Sequence, residues 1–321
     1  MQSTDINCQI KSTSEVSLQT DTVVDKPYSF DVDYNIVLGC PRSGTTFLIQ
    51  SLNALPNSEC VSGHLVPIAI PHLINSNVSA EVYQTLSNSF EFSLQDHLES
   101  ISKNRVDSIY KWFTGCISNQ ELIDSLQQKR QIERLVYKEP FLAFAPEYTY
   151  NSLPNSRIVH IYRDGRDCAD SLMRKYQPLT DEKLTNLYTA EMPLGRKWDR
   201  RYVPWWVKAG SEEKFLQCTP YVRSVWMWKE MVRRCHQFFS RPEVADSGRV
   251  LLLKYEDLVT DPLKYGQQVV EHFGCEMNPR LTKKFNQARD NSIGIHRRRE
   301  SSETELATEI AEAELKLYGY L

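Results

Sequence analysis

The sequence predicts an α/β fold: a mostly parallel central sheet of four or five strands, flanked by helices as a three-layer sandwich. Three observations carry that reading. Short apolar runs such as Ile36-Val37-Leu38, Leu135-Val136-Tyr137 and Ile158-Val159-His160-Ile161 suit strands buried on both faces. Each run ends in a turn rich in glycine, proline or charge, and the first and third lead directly into apolar residues at helical spacing. With 321 residues, 41% hydrophobic and 25% charged, the chain can bury one large core and carry a cap.

Residues 1–27 are rich in Ser, Thr, Asp and Gln without apolar periodicity, which reads as a disordered tail; the folded domain is expected over 28–321. Its first unit runs from Tyr34 to Leu55. A strand at Ile36 to Leu38 enters the turn Gly39 to Gly44, and Phe47, Leu48, Leu52 and Leu55 then take helical spacing. Gly39 and Gly44 bracket four residues, the spacing of a phosphate-binding P-loop, where backbone amides and a helix N-terminus converge on an anion. Thr45 stands where an ATP- or GTP-binding loop has lysine, and the cation lies inside the loop at Arg42. With hydroxyls at Ser43, Thr45 and Thr46, this pocket can grip one phosphate while lacking the lysine that serves a nucleoside triphosphate.

Beyond the turn at Pro56-Asn57, helices are expected over about 78–102 and over Asn119 to Arg130, the second capped by Ser118. Arg134 to Lys138 is a strand stopped by Glu139-Pro140, so Lys138 sits at its C-terminal edge, where open α/β sheets hold ligands. A third strand, Arg157 to Tyr162, runs into R-D-G-R-D-C-A-D-S. Arg163 is expected at the strand tip and Ser171 in the following helix, and an arginine fork with a hydroxyl suits a dianionic phosphate. Residues 176–220, with Trp198, Trp205 and Trp206, break the α/β rhythm and read as an aromatic-rich helical cap over the site. Pro220 then opens a long helix to about Ser240 with Val225, Trp228, Val232, Cys235 and Phe239 on its buried stripe. A fourth strand at Arg249 to Leu253 leads to Y-E-D-L, helices follow Asp261-Pro262 and Pro279, and Ser302-x-x-Glu305 predicts a capping box for the last helix. The Arg297-Arg298-Arg299 run before that helix opposes its dipole, which favours an anion nearby.

A formal net charge of −3 gives no overall basic field, so nucleic acid is not expected as a partner. The eight cysteines include no C-x-x-C pair and read as free thiols; the N-terminus lacks a signal pattern and no run of about 18 apolar residues occurs. A cytoplasmic protein without a membrane span or metal is the expectation. The oligomeric state is not legible.

The P-R-S-G-T-T loop, R-D-x-R-D-x-x-x-S with its eight-residue Arg163-to-Ser171 spacing, K-E-P at Lys138 and Y-E-D-L at Tyr255 together resemble the motifs of sulfotransferases that use 3′-phosphoadenosine 5′-phosphosulfate (PAPS). The likeness covers most of Tyr34 to Tyr320 and is greatest to the arginine-loop branch, which includes tyrosylprotein and many bacterial enzymes. It implies transfer of the PAPS sulfonate to a hydroxyl or amine of a small-molecule or peptide acceptor, with release of PAP, the adenosine bis-phosphate. It also implies that Arg42 and Lys138 stabilise the transferring group, and that Arg42, Ser43, Gly44, Thr45 and Thr46 hold the 5′-phosphosulfate. Arg163 and Ser171 would hold the 3′-phosphate. Lys175, Tyr255, Ser292, Gly294, His296, Arg297 and Arg298 are the further cofactor contacts it suggests. Tyrosylprotein enzymes place a glutamate base in a C-G-E-E stretch; here Cys60-Val61-Ser62-Gly63-His64 aligns, so His64 is the candidate base. The alternatives are a P-loop kinase, disfavoured by Thr45, and a non-catalytic PAP- or PAPS-binding protein.

Overall fold

Seven strands form among the described residues: β1 (Asp33–Leu38), β2 (Ser58–Ser62), β3 (Arg134–Lys138), β4 (Arg157–Tyr162), β5 (Gly195–Trp198), β6 (Arg201–Pro204) and β7 (Val250–Lys254). The structure, a computed structural model, describes residues 31–63, 65, 68–102, 132–187 and 194–321. The tail over 1–27, His64 and the helix expected at Asn119 to Arg130 lie outside them. Five strands make one parallel sheet in the order β2-β3-β1-β4-β7. The apolar runs are continuous because helices cover both faces. Val37, Val136, Val159 and Ile161 point into one hydrophobic cluster, whereas Ile36, Leu38, Leu135, Tyr137 and Ile158 point into the other.

The first cluster is closed by α1 (Thr45–Leu52) and by the helices Tyr255–Thr260, Pro262–His272 and Pro279–Phe285. The second is closed by α2 (Ala80–Ser102), α3 (Gly165–Lys175), α4 (Pro220–Phe239) and Ser301–Ile310. Their starts are chemically marked. Asp164 accepts from Arg166 N at the head of α3, and Thr219 accepts from Val222 N at the head of α4 with Pro220 in its first turn. Asp261 accepts from Lys264 N and Asn278 from Arg280 N and Leu281 N in the two helices that follow β7. Among the described residues no helix is long and apolar enough to cross a membrane.

Three features differ from the sequence reading. β2 is an edge strand the pattern does not announce, since Ser58, Glu59 and Ser62 interrupt its apolar residues; all five residues are nevertheless buried. The cap contains the antiparallel β5–β6 hairpin as well as short helices, and the charges of Arg196, Lys197, Arg200 and Arg201 disguise it. The predicted capping box does not form. The last long helix starts at Ser301 with no side-chain cap, and the first-turn glutamate, Glu303, is held by Arg299 at 2.7 Å.

Candidate active site

The site lies where the chain order of the sheet reverses, at the C-terminal ends of three adjacent strands, β3, β1 and β4. β1 delivers the glycine loop, β3 delivers Lys138, and β4 delivers Arg163. In the loop, Arg42 takes a left-handed conformation with φ 74° and Gly44 one with φ 100°. A Cβ on Gly44 would stand 2.4 Å from the Tyr255 ring, so both conformation and space demand glycine. Ser43 is buried and braces the turn, its N–H and Oγ donating to the Cys40 carbonyl at 3.0 and 2.7 Å. Thr45 is buried, while Thr46 is exposed and lines the cavity described below. No side chain caps α1, so its first amides are available to an anion.

The glycine loop and the R-D-x-R-D-x-x-x-S segment touch. Arg42 Nε donates to Ser171 Oγ at 2.9 Å, and Arg163 Nη1 donates to the Arg42 carbonyl at 3.1 Å. Arg163 is only 3% exposed and is gripped from several sides. Its guanidinium lies 4.5 Å over the Tyr255 ring, Nη2 donates to the Ser292 carbonyl, and the Trp228 indole donates to its own carbonyl at 3.0 Å. Its buried Nε has no hydrogen-bond partner among the described residues. The Tyr255 and Ser292 hydroxyls share a 2.9 Å hydrogen bond.

Asp167, the second aspartate of R-D-G-R-D, ties the C-terminal loop to this centre. Its carboxylate accepts from Gly294 N at 2.7 Å, from His296 N at 3.0 Å and pairs with His296 Nδ1 at 2.6 Å, with Arg163 at 3.8 Å. Burial pushes its pKa up, but the hydrogen bonds from His296 and Gly294 outweigh that and hold it below the usual aspartate value. Arg297 and Arg298 are exposed on the same loop, Arg298 beside a shallow depression with Asp170 and Arg174. Arg299, by contrast, pairs with Asp170 at 2.9 Å and lies 4.1 Å over the Tyr221 ring, a structural post.

Lys138 is 8% exposed. Burial pulls its ammonium below the ordinary lysine range; Glu139 opposes that shift and the nearby Arg42 cation adds to it. An anion bound between these two cations would relieve the strain. Lys138, Arg42 and Thr46 line a cavity of about 610 Å³ together with residues of the 176–220 segment. Lys175, exposed at the last turn of α3, reaches this cavity instead of the Arg163 cluster and lies 5.2 Å from the Tyr176 ring. Gly63 also lines it, and its carbonyl accepts from Tyr137 Oη at 2.9 Å. Among the described residues no three His, Cys, Asp or Glu side chains gather as a metal-ion site.

The model of the sulfotransferase family matches residues 36–279, from β1 to the start of the helix at Pro279. The chain belongs to that family. Among solved structures, this family member is similar to the sulfotransferase domain of a Synechococcus olefin synthase, at 16% identity and a TM-score of 0.47, covering 90% of this chain and 97% of that one. It is also similar to a sulfotransferase from Mycobacterium avium, at 14% identity and a TM-score of 0.42, covering 89% and 77%. A third, from Alicyclobacillus acidocaldarius, gives 14% identity and a TM-score of 0.39, covering 90% and 98%. A search of curated proteins gives no significant match.

Sequence reading of this sulfotransferase passes over Asp167 and Trp228. Asp167 was legible as part of R-D-x-R-D, yet its partners lie in a loop 127 and 129 residues later, which no local pattern announces. Trp228 looks like any buried residue on the α4 stripe. Its second task, bracing the backbone of Arg163, appears only in three dimensions.

Proposed function

We propose that this sulfotransferase transfers the sulfonate of PAPS to a hydroxyl or amine of an acceptor and releases PAP. The observation that carries the reading is the contact between the two anion motifs: Arg42 on Ser171, and Arg163 on the Arg42 backbone. Cradles in contact are positioned to grip two phosphates of one small molecule. The residues fit such a group, because Arg163 keeps a buried donor without a partner and Gly44 keeps the loop free of a side chain. On this reading the glycine-loop amides with Ser43, Thr45 and Thr46 hold the 5′-phosphosulfate. Arg163, Ser171, Tyr255 and the Ser292-to-Arg298 loop hold the 3′-phosphate and adenosine, and Lys175 adds charge from the cavity side.

PAPS supplies a sulfonate already activated by attachment to a phosphate leaving group. The protein's part is electrostatic. Arg42 and Lys138 set two fixed cations where negative charge gathers on the leaving oxygen, in a site partly closed to water, where preorganised charge acts most strongly. Lys138 can serve as a cation while its lowered pKa also lets it give up a proton more readily than ordinary lysine. His64 is the proposed base; its support is that Ser62 and Gly63, which precede it in the sequence, line the same cavity as Lys138.

Calorimetric titration with PAP, followed by assay of labelled sulfonate transfer from PAPS to a panel of acceptors, tests the reading. Micromolar PAP binding with turnover supports it. Binding of MgATP but not PAP would favour a kinase, and PAP binding without turnover on any acceptor would favour a non-catalytic receptor.

A further inference from the structure

We infer that the acceptor is an apolar alcohol or phenol of drug-like size, whose hydroxyl meets Arg42 and Lys138 while its uncharged body fills the chamber beneath the cap. The inference rests on the sulfonate-transfer reading above and adds to it the chemistry of the acceptor. Its basis is the make-up of the cavity lining. At about 610 Å³ the chamber falls within the roughly 300–1,000 Å³ typical of small-molecule sites. Among the described residues lining it, the charged side chains are Arg42, Lys138, Glu139, Lys175 and Lys183; Lys138 and Glu139 are buried and Arg42 is half-buried, whereas Lys175 and Lys183 are exposed.

Most of the remaining lining is apolar and aromatic, with Phe141, Phe144, Leu172, Leu184, Trp205 and Trp206 among it. The rings hold one another. Phe144 stacks on Trp206 at 5.8 Å with an interplanar angle of 17°, and meets Trp205 edge-on at 5.3 Å. Trp206 in turn packs edge-to-face on Phe215 at 5.6 Å. A wall braced in this way keeps its shape without a ligand, which reduces the ordering cost of binding. A peptide threaded into the chamber would bring an N–H and a C=O with every residue, and acidic neighbours besides. Burying those groups against leucine and phenylalanine costs free energy that the walls cannot return. An aryl or alkyl body loses nothing of the kind and gains from leaving water.

The experiment separates this inference from the donor reading. PAP affinity is first measured by calorimetry on the full chain. Then 2-naphthol, 1-decanol and an acidic tyrosine-containing peptide are each incubated with enzyme and PAPS, and sulfated products are quantified by mass spectrometry. We expect kcat/KM for 2-naphthol at least about 100-fold above that for the peptide. Met227 also lines the chamber, so Met227→Trp should raise the naphthol KM about tenfold or more, with PAP affinity held within about twofold. If that variant does not fold, Phe144→Ala, which removes a wall ring, should raise the same KM. PAP binding accompanied by sulfation of the peptide alone, or by sulfation of neither alcohol, overturns the acceptor class and leaves the donor reading standing. Absence of PAP binding overturns the donor reading and this inference with it.

Discussion

Arg42 Nε donates to Ser171 Oγ across 2.9 Å, although 129 residues separate them in the chain. One residue belongs to the glycine loop after β1 and the other to the helix after β4, so the bond directly couples the two elements proposed to bind the phosphates. Ser171→Ala should therefore do more than delete one hydroxyl. It leaves Arg42, already held at φ 74°, without the contact that aims its guanidinium. We expect PAP affinity to fall about tenfold. In a double-mutant cycle with Arg42→Lys, the coupling should lie in the range of about 0.5–3 kcal/mol that contacting residues show. Additivity within about 0.3 kcal/mol, read by calorimetry, would mean that the pair does not act as a unit.

Lys138 gives a pH prediction whose sign follows from its environment. Its pKa in the free protein lies below 10.5, first because it is buried and further because Arg42 is near, with Glu139 opposing. A bound anion favours the ammonium, so the ligand binds the protonated form better and takes up a proton as it does so. PAP affinity should hold at neutral pH and turn down as pH rises through the free-state value, earlier than an unperturbed lysine would allow. The slope should approach tenfold per pH unit. Lys138→Arg stays charged throughout and should lose that downturn. Identical pH profiles for the two proteins would remove Lys138 from the anion site.

How much of this was legible in the sequence depends on the range of the signal. The strands β1, β3, β4 and β7 announce themselves because each carries an apolar core fully or partly sheathed by helices, and the glycine loop follows from a spacing that backbone geometry imposes. β2 was missed because Glu59, with no exposed surface, interrupts it; a buried carboxylate is acceptable there only with partners such as His97, 3.5 Å away on α2. The β5–β6 hairpin was missed because its faces carry arginine and lysine where a strand pattern wants apolar residues. At the site, cations and hydroxyls were readable one by one. The Asp167 to His296 tie and the Tyr255 ring beneath Arg163 were not, because each joins segments far apart in the chain.

Asp167 should prove a positioning residue for the C-terminal loop. Its carboxylate collects two backbone amides and the His296 ring, and Asp167→Asn removes the charge while keeping the size. A stability loss of about 1–3 kcal/mol is expected from the weakened buried hydrogen bonds. Because the folded-state pKa is depressed, the stabilisation is fully present above the ordinary aspartate value of 3.8 and is lost as pH falls through the lowered one. Urea unfolding of wild type and variant should thus show a gap that is constant near neutrality and closes in acid. A gap independent of pH would assign the loss to packing. PAP affinity of the variant should fall as well, since Ser292 and His296 move with the loop.

Arg223 is the residue most able to test the cap separately from the phosphate cradles. It sits on α4 with 2% of its surface exposed, and Nε donates to the Phe215 carbonyl at 3.1 Å. Nη1 donates to the Leu179 carbonyl at 2.9 Å and faces Asp181 at 2.8 Å, and Nη2 donates to the Leu216 carbonyl. Leu179 lines the chamber and is held at φ 58°, a left-handed conformation that costs a non-glycine residue about 1–3 kcal/mol and persists only where its surroundings impose it. One guanidinium fork thus pins both ends of the cap, and a lysine cannot reach three carbonyls in that geometry. Arg223→Lys should loosen residues 177–187 in hydrogen exchange and raise the acceptor KM about tenfold or more. PAP affinity should stay within about twofold, because none of the groups that Arg223 holds belongs to the Arg42, Arg163 and Ser171 cluster. If PAP affinity fell as far as acceptor affinity, cap and cradle would be one cooperative unit, and the separation of roles argued here would be lost.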